Sequence, residues 1–148
     1  MEYRRITENK RDFLPLLLLG DEQEDMIGRY LDRGALFALY DGGLCAVCVV
    51  TREPGNVLEV KNLAVEPQRQ RQGCGRAMLA FLEEEYRGTA EKWMVGTGDS
   101  PLSLPFYEAC GFQISHRVKN FFTDHYDHPI YEDGVQLVDM VYLEKPAK

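Results

Sequence analysis

The sequence predicts an α/β fold, and three observations carry the prediction. Apolar runs of strand length alternate with stretches of helical periodicity along the 148 residues. An Asp41-Gly42-Gly43 turn joins two of those runs as a hairpin. Further on, the β-branched run Val57-Leu58-Glu59-Val60-Lys61-Asn62-Leu63-Ala64-Val65 is ended by Glu66-Pro67, because proline cannot donate to a ladder. It then passes through a glycine turn into a helix.

The elements follow in order. A strand over 2–7 precedes helices within 9–19 and 21–32. Strands over 34–40 and 44–52 flank the Asp-Gly turn, and Leu44-Cys45-Ala46-Val47-Cys48-Val49-Val50 reads as fully buried. The strand over 56–65 leads to a helix over 74–87, where Ala77, Met78, Phe81, Leu82 and Tyr86 form one apolar face and Gly88 stops the run. A strand over 91–97, a helix over 101–110 and a strand over 112–120 come next. A loop rich in His, Tyr and Asp, 121–134, is too long for a tight hairpin and too aromatic for a plain solvated loop, and a strand over 135–143 closes the chain.

Composition predicts one compact domain spanning 1–148. Hydrophobic residues make up 45% and charged residues 28%, with no repeat or low-complexity tract. Leu14-Pro15-Leu16-Leu17-Leu18-Leu19 is the most apolar stretch, far shorter than the roughly 20 residues of a membrane span. With no signal peptide pattern, a cytoplasmic location without membrane association is expected. Four cysteines fit reduced thiols. Cys45 and Cys48 form a lone CxxC in a strand, where positions three apart are expected on opposite faces, and no second pair completes a zinc set. A net charge of −7 with no basic face argues against a nucleic-acid partner.

The strand-to-helix turn is the most informative segment. Its helix begins with N–H groups that have no partner within the helix and lie at the positive end of the macrodipole. Gly73 and Gly75 let an anion approach the main chain, and Arg69, Arg71 and Arg76 surround the turn with fixed cations. A diphosphate suits such a cradle. Neither the three-glycine dinucleotide fingerprint nor the Gly-Lys-Ser/Thr phosphate loop fits, since position 78 is Met.

Gln70-Arg71-Gln72-Gly73-Cys74-Gly75 resembles the acetyl-CoA pyrophosphate signature Q/R-x-x-G-x-G/A of the GCN5-related N-acetyltransferase (GNAT) family. Phe106-Tyr107-Glu108-Ala109-Cys110-Gly111-Phe112 is similar to that family's F-Y-x-x-x-G-F, at the end of the fourth helix and the entry to the sixth strand. The resemblance implies the GNAT fold. That is a mixed, mostly antiparallel twisted sheet of about seven strands, splayed between the fourth and fifth, with about four helices. It implies acetyl-CoA as co-substrate, no metal, and direct attack of an amine on the thioester.

Residue roles follow from the same resemblance. Cofactor binding falls to Gln70, Arg71, Gln72, Gly73, Cys74, Gly75 and Arg76, with Leu63 and Ala64 lining the pantetheine slot and the Val65 N–H polarising the thioester carbonyl. Tyr107 stands where the family places its general acid. Its phenol, with an ordinary pKa of about 10, is close enough to a thiol near 8.5 to protonate a departing thiolate. Glu59, fourteen residues before Gly73, resembles the catalytic glutamate of the histone-acetylating branch; its alternative is an exposed charge beside Lys61. Asp99 occupies the place of a pantetheine-binding asparagine but can only accept hydrogen bonds, so a helix-capping role for Asp99 or Ser100 stands beside it.

His125 and His128 lack a helical metal-binding frame. The acidic and aromatic 121–134 loop suits a cationic amine, so the expected partner is a small-molecule or peptide amine. Asp139-Met140-Val141-Tyr142-Leu143 reads as an edge or near-edge strand that could pair two subunits in a homodimer. The rival to an enzyme is a non-catalytic acyl-CoA sensor of the same fold.

Overall fold

The computed structural model describes all 148 residues. Strand β1 (Glu2–Ile6) is followed by a 3-10 turn (Lys10–Phe13) and two short helices, α1 (Leu14–Gly20) and α2 (Glu24–Gly28). Strands β2 (Ala35–Tyr40) and β3 (Leu44–Glu53) form the Asp-Gly hairpin. Strand β4 (Val57–Val65), helix α3 (Cys74–Glu85), strand β5 (Lys92–Gly98), helix α4 (Ser103–Ala109) and strand β6 (Gln113–Val118) follow. Helix α5 (Phe121–His125), the two-residue strands β7 (Tyr131–Glu132) and β8 (Val135–Gln136), and β9 (Met140–Pro146) complete the chain.

Seven strands form one sheet in the order β1-β2-β3-β4-β5-β9-β6, antiparallel except for β4 against β5. This is the mixed sheet that the sequence predicts. Strand β9 lies one strand in from the edge, and the edge strands are β1 and β6. The 121–134 segment differs from the expected loop. It holds α5 and a tight hairpin, β7–β8, turning on Asp133 (φ 50°) and Gly134 (φ 76°), both in the left-handed region that a two-residue type I′ turn requires. The closing strand is split as well, with Leu137–Asp139 separating β8 from β9.

Apolar residues divide between the two faces of the sheet. Phe37, Leu58, Val60, Met78, Leu82 and Trp93 pack under α3 and α4, while Leu16, Leu17, Ile27, Leu31, Val47 and Val49 pack under α1 and α2. A small third cluster, Phe122, Ile130 and Leu137, anchors the α5–β8 segment. Cys45 and Cys48 both join the α3 side, against the expectation of opposite faces. The reason is a bulge: Leu39 pairs with Ala46 and Tyr40 with Leu44, so Cys45 is an extra residue that breaks the alternation.

A second bulge shapes the middle of the sheet. Val49 pairs with Asn62 and Val50 with Val60, leaving Lys61 as the extra residue in β4. At that point β4 and β5 part. They pair only from Val57–Lys92 to Val60–Val95, after which β4 continues along β3 and β5 along β9. A bulge sharpens local twist, and here it coincides with the opening of a wedge between two strands of one sheet.

Candidate active site

The cradle sits at one mouth of that wedge. After β4 a 3-10 turn (Pro67–Arg69) leads to Arg71 at φ 64° and Gly73 at φ 85°, both left-handed, so the chain doubles back before α3 starts. The first helical bond runs from the Ala77 N–H to the Gly73 C=O at 2.9 Å, and no side chain caps the helix. The N–H groups of residues 71 to 76 therefore have no acceptor within the protein. Such a run of free donors at a helix start is an anion site. A Cβ on Gly73 would meet nothing within 4 Å, whereas one on Gly75 would press on Phe106 Cζ at 3.1 Å. Gly73 thus faces open space and Gly75 lets α3 close on α4. These features fit a diphosphate group.

From the cradle a cavity of about 540 Å³ runs between α3 and α4 toward the wedge, past Leu63, Val65, Ser103, Phe106 and Tyr107. Glu66 N–H returns to Cys45 C=O at 2.8 Å, so by the alternation of an antiparallel ladder the main-chain groups of Leu63 and Val65 point to the side that β5 has left. Gln70 Nε2 reaches the Val65 C=O at 3.3 Å from that side. Tyr107 is 9% exposed and is held edge-on between Phe106 and Phe112, with centroids at 5.0 and 5.8 Å. Burial pushes its phenol well above the ordinary tyrosine range, so it stays protonated near neutral pH.

On the opposite face of the sheet the wedge meets two adjoining hollows of about 220 and 120 Å³, which share Asp21, Lys61, Gly96, Tyr126 and Met140. Glu59 lines the larger. It is 5% exposed and paired with Lys61 Nζ at 3.0 Å, and burial raises its carboxyl above the usual value although Lys61 pulls it down. Asp21 accepts the hydroxyls of Tyr30 (3.0 Å) and Tyr126 (2.6 Å), and burial raises its pKa too. Asn62 Nδ2 donates to Tyr30 Oη at 3.1 Å, tying the network to β4. The hollows thus combine carboxylates with aromatic rings, opposite the cradle.

A family model described as acetyltransferase (GNAT) domain matches residues 32–114. The N-acetyltransferase YvbK of Bacillus subtilis (strain 168) is 34% identical over 139 residues, covering 92% of this chain and 90% of that protein. The chain belongs to the GNAT acetyltransferase family. Among solved structures, a GNAT family acetyltransferase from Elizabethkingia anophelis with acetyl-CoA bound superposes with a TM-score of 0.90 at 31% identity, covering 98% of this chain and 97% of that one. The [ribosomal protein bS18]-alanine N-acetyltransferase of Escherichia coli (strain K12) is 33% identical over 96 residues, 64% of this chain and 62% of that protein.

Within this GNAT chain, most of the residues expected at the cofactor, together with the expected acid Tyr107, share one cavity. Leu63, Val65, Gln70, Arg71, Gly73, Cys74, Gly75, Arg76 and Tyr107 all line the cavity. Arg76 also donates to Ala109 C=O at 2.7 Å, fastening α3 to α4. Ala64 and Gln72 stand apart. The bulge at Lys61 sets Ala64 in the α1–α2 cluster, and the Gln72 side chain turns back to Gln68 C=O at 3.2 Å. Asp99 is drawn away to Arg117 at 2.8 Å, and Ser100 is the capping residue, its Oγ accepting the N–H of Leu102 and Ser103. Glu59 lies on the far face, separated from the cradle by the sheet.

Leu102, Ser103 and Phe106 line the cavity without having been singled out. Phe106 was legible as the first residue of F-Y-x-x-x-G-F. Asp21, Tyr30 and Tyr126 were not, because residues 105 positions apart meet only through the fold. No helix is long and apolar enough to cross a membrane, and no three His, Cys, Asp or Glu side chains are grouped to hold a metal ion.

Proposed function

We propose that the chain transfers an acetyl group from acetyl-CoA to a primary amine of a small molecule or peptide, by direct attack and without an acyl-enzyme. The observation that carries this reading is the free N–H run of residues 71–76, set at one mouth of a wedge whose other mouth is lined by carboxylates. Bound acetyl-CoA would supply the activated acetyl group. Gly73, Gly75 and the neighbouring N–H groups hold its diphosphate, with Arg71 and Arg76 adding charge. Leu63 and Val65 flank its pantetheine, and the Val65 N–H stabilises the carbonyl oxygen as charge develops there. Glu59, directly or through water, takes the proton that the attacking amine must lose. Tyr107 gives its proton to the departing thiolate.

The acceptor enters from the α1–α2–α5 side. Asp21, Glu22 and Glu132 with Tyr126 and Tyr131 favour a cationic amine there, through carboxylate pairing and ring contact. The E. coli relative, which acts on a ribosomal-protein alanine, supports a peptide amine as one member of that class. Calorimetric titration of acetyl-CoA into wild type and Gly73→Glu tests the cofactor half, and thiol release with a panel of small and peptide amines tests the acceptor half. Binding that the substitution abolishes, followed by amine-dependent thiol release, is the expected outcome. Absence of binding by folded wild type would overturn the reading, and binding without turnover by any amine would favour a sensor.

A further inference from the structure

We propose that Glu132, on the hairpin that walls the acceptor side, is a positioning residue that fixes the N-terminal end of α4 and through it the cofactor-facing residues Ser103, Phe106 and Tyr107. The binding part of its test rests on the acetyl-CoA reading above; the structural part does not.

The argument begins with the weakness of α4. It has seven residues, includes Pro105, and its first flanking residue, Leu102, offers no side-chain cap. So short a helix has little stability of its own. Its end is held instead by Ser100, whose Oγ accepts the N–H of Leu102 at 3.2 Å and of Ser103 at 3.1 Å. A hydroxyl has two acceptor lone pairs and one proton, so these two bonds leave only the proton to place. Ser100 donates it to Glu132 Oε1 at 2.5 Å, and the Ser103 hydroxyl donates to the same oxygen. Bonds to a carboxylate are roughly twice as strong as neutral ones. One carboxylate therefore orients the capping hydroxyl and grips the first residue of the helix.

Glu132 is itself held by a stiff support. The Asp133–Gly134 turn pairs Glu132 with Val135, Leu137 N–H donates to Ile130 C=O at 2.8 Å, and Leu137 packs so closely on Gly98 that a Cβ there would lie 2.6 Å away. Ser103 lines the cofactor-side cavity and Glu132 lines an acceptor-side hollow, so the bond between them spans the end of the wedge. The wall of one substrate site is thereby a working part of the other.

The test compares wild type, Glu132→Ala, Glu132→Gln, Ser103→Ala and the Glu132→Ala/Ser103→Ala double variant. Amide hydrogen exchange is read over residues 102–110 and acetyl-CoA affinity by calorimetry. Glu132→Ala loses the bonds from both Ser100 and Ser103, and is expected to speed exchange in α4 while β2 and β3 keep their protection, and to weaken acetyl-CoA about tenfold. Glu132→Gln keeps an acceptor oxygen and should restore most of both. The double variant should bind as Glu132→Ala does, since one bond cannot be lost twice. Unchanged α4 exchange in Glu132→Ala, or losses that multiply in the double variant, would overturn the proposal. If wild type binds no acetyl-CoA, that reading fails by itself and α4 exchange still decides the role of Glu132. If Glu132→Ala does not fold, Ser100→Ala, set against Glu132→Gln, gives the same exchange comparison.

Discussion

In the proposed role of Tyr107 as acid its surroundings cut both ways: Phe106, Phe112 and the sheet deny solvent to a phenolate, which keeps the proton on oxygen until it is needed but makes the phenol a weaker acid than a free tyrosine. Tyr107→Phe preserves the ring and removes only the hydroxyl, so kcat should fall by about two to three orders of magnitude while the acetyl-CoA Kd stays nearly constant. A parallel loss in Kd, measured by calorimetry, would make Tyr107 a binding residue instead. As the proposed base, Glu59 would set the acidic side of the pH profile. A base must be ionised, and its pKa is raised above 4.5 by burial, so kcat/KM should decline as pH falls through that raised value and Glu59→Gln should abolish this limb. Stability runs the other way: the folded state binds the Glu59 proton more tightly than the unfolded chain. Its contribution is present at low pH and is lost as pH rises from 4.5 through the raised value, a slope that thermal melts of Glu59→Gln should lack. Both residues were legible from motif and spacing. Ala64 was not, and the reason is local: the polar positions Glu59, Lys61 and Asn62 break the period of two, the one visible trace of the bulge that turns Leu63 and Val65 toward the cofactor side.

At the scale of elements, the strand-turn-α3 unit and the β7–β8 hairpin hold the two sides of the site. The first was plain in the sequence because β4 and α3 are long enough to show their periods on either side of the glycines. The second was hidden. Its strands have two residues each, too few for alternation to register, yet Asp133-Gly134 carries the same signal that marked the 41–43 turn. Gly134→Ala forces a Cβ into the left-handed region at φ 76° and should cost about 1 kcal/mol, visible as faster amide exchange in 131–136. Since a Cβ there meets nothing within 4 Å, the cost is conformational and not a clash. Gly73→Ala differs in consequence but not in strain. It should lose a similar amount of stability, by urea denaturation, and also weaken acetyl-CoA, because the added methyl enters the open space proposed for the diphosphate.

For the molecule as a whole, the sheet is continuous through residues 57–60 and 92–95 and open beyond them, so β1–β4 and β5–β9–β6 are joined at one end only. Apart from α5 and the β7–β8 hairpin, the order of elements was legible, since those strands and helices could be read locally. The insertion of β9 between β5 and β6 was not, because it depends on pairing between Lys92–Gly98 and Met140–Pro146, far apart in sequence. This geometry makes the two halves sensitive to anything that binds across the gap. A ligand held by the cradle on the β4–α3 side and by α4 on the β5 side would oppose separation, adding stability in proportion to the logarithm of its concentration over Kd. At a hundredfold excess over Kd acetyl-CoA should contribute about 2.7 kcal/mol, which for a chain of this size raises Tm by roughly 5 to 10 °C. Gly73→Glu carries the same left-handed strain as Gly73→Ala, so without ligand it should melt roughly 2 to 4 °C below wild type, and it should show no rise with ligand. A rise that survives Gly73→Glu would place the ligand elsewhere, and no rise in wild type would mean that the wedge does not hold acetyl-CoA.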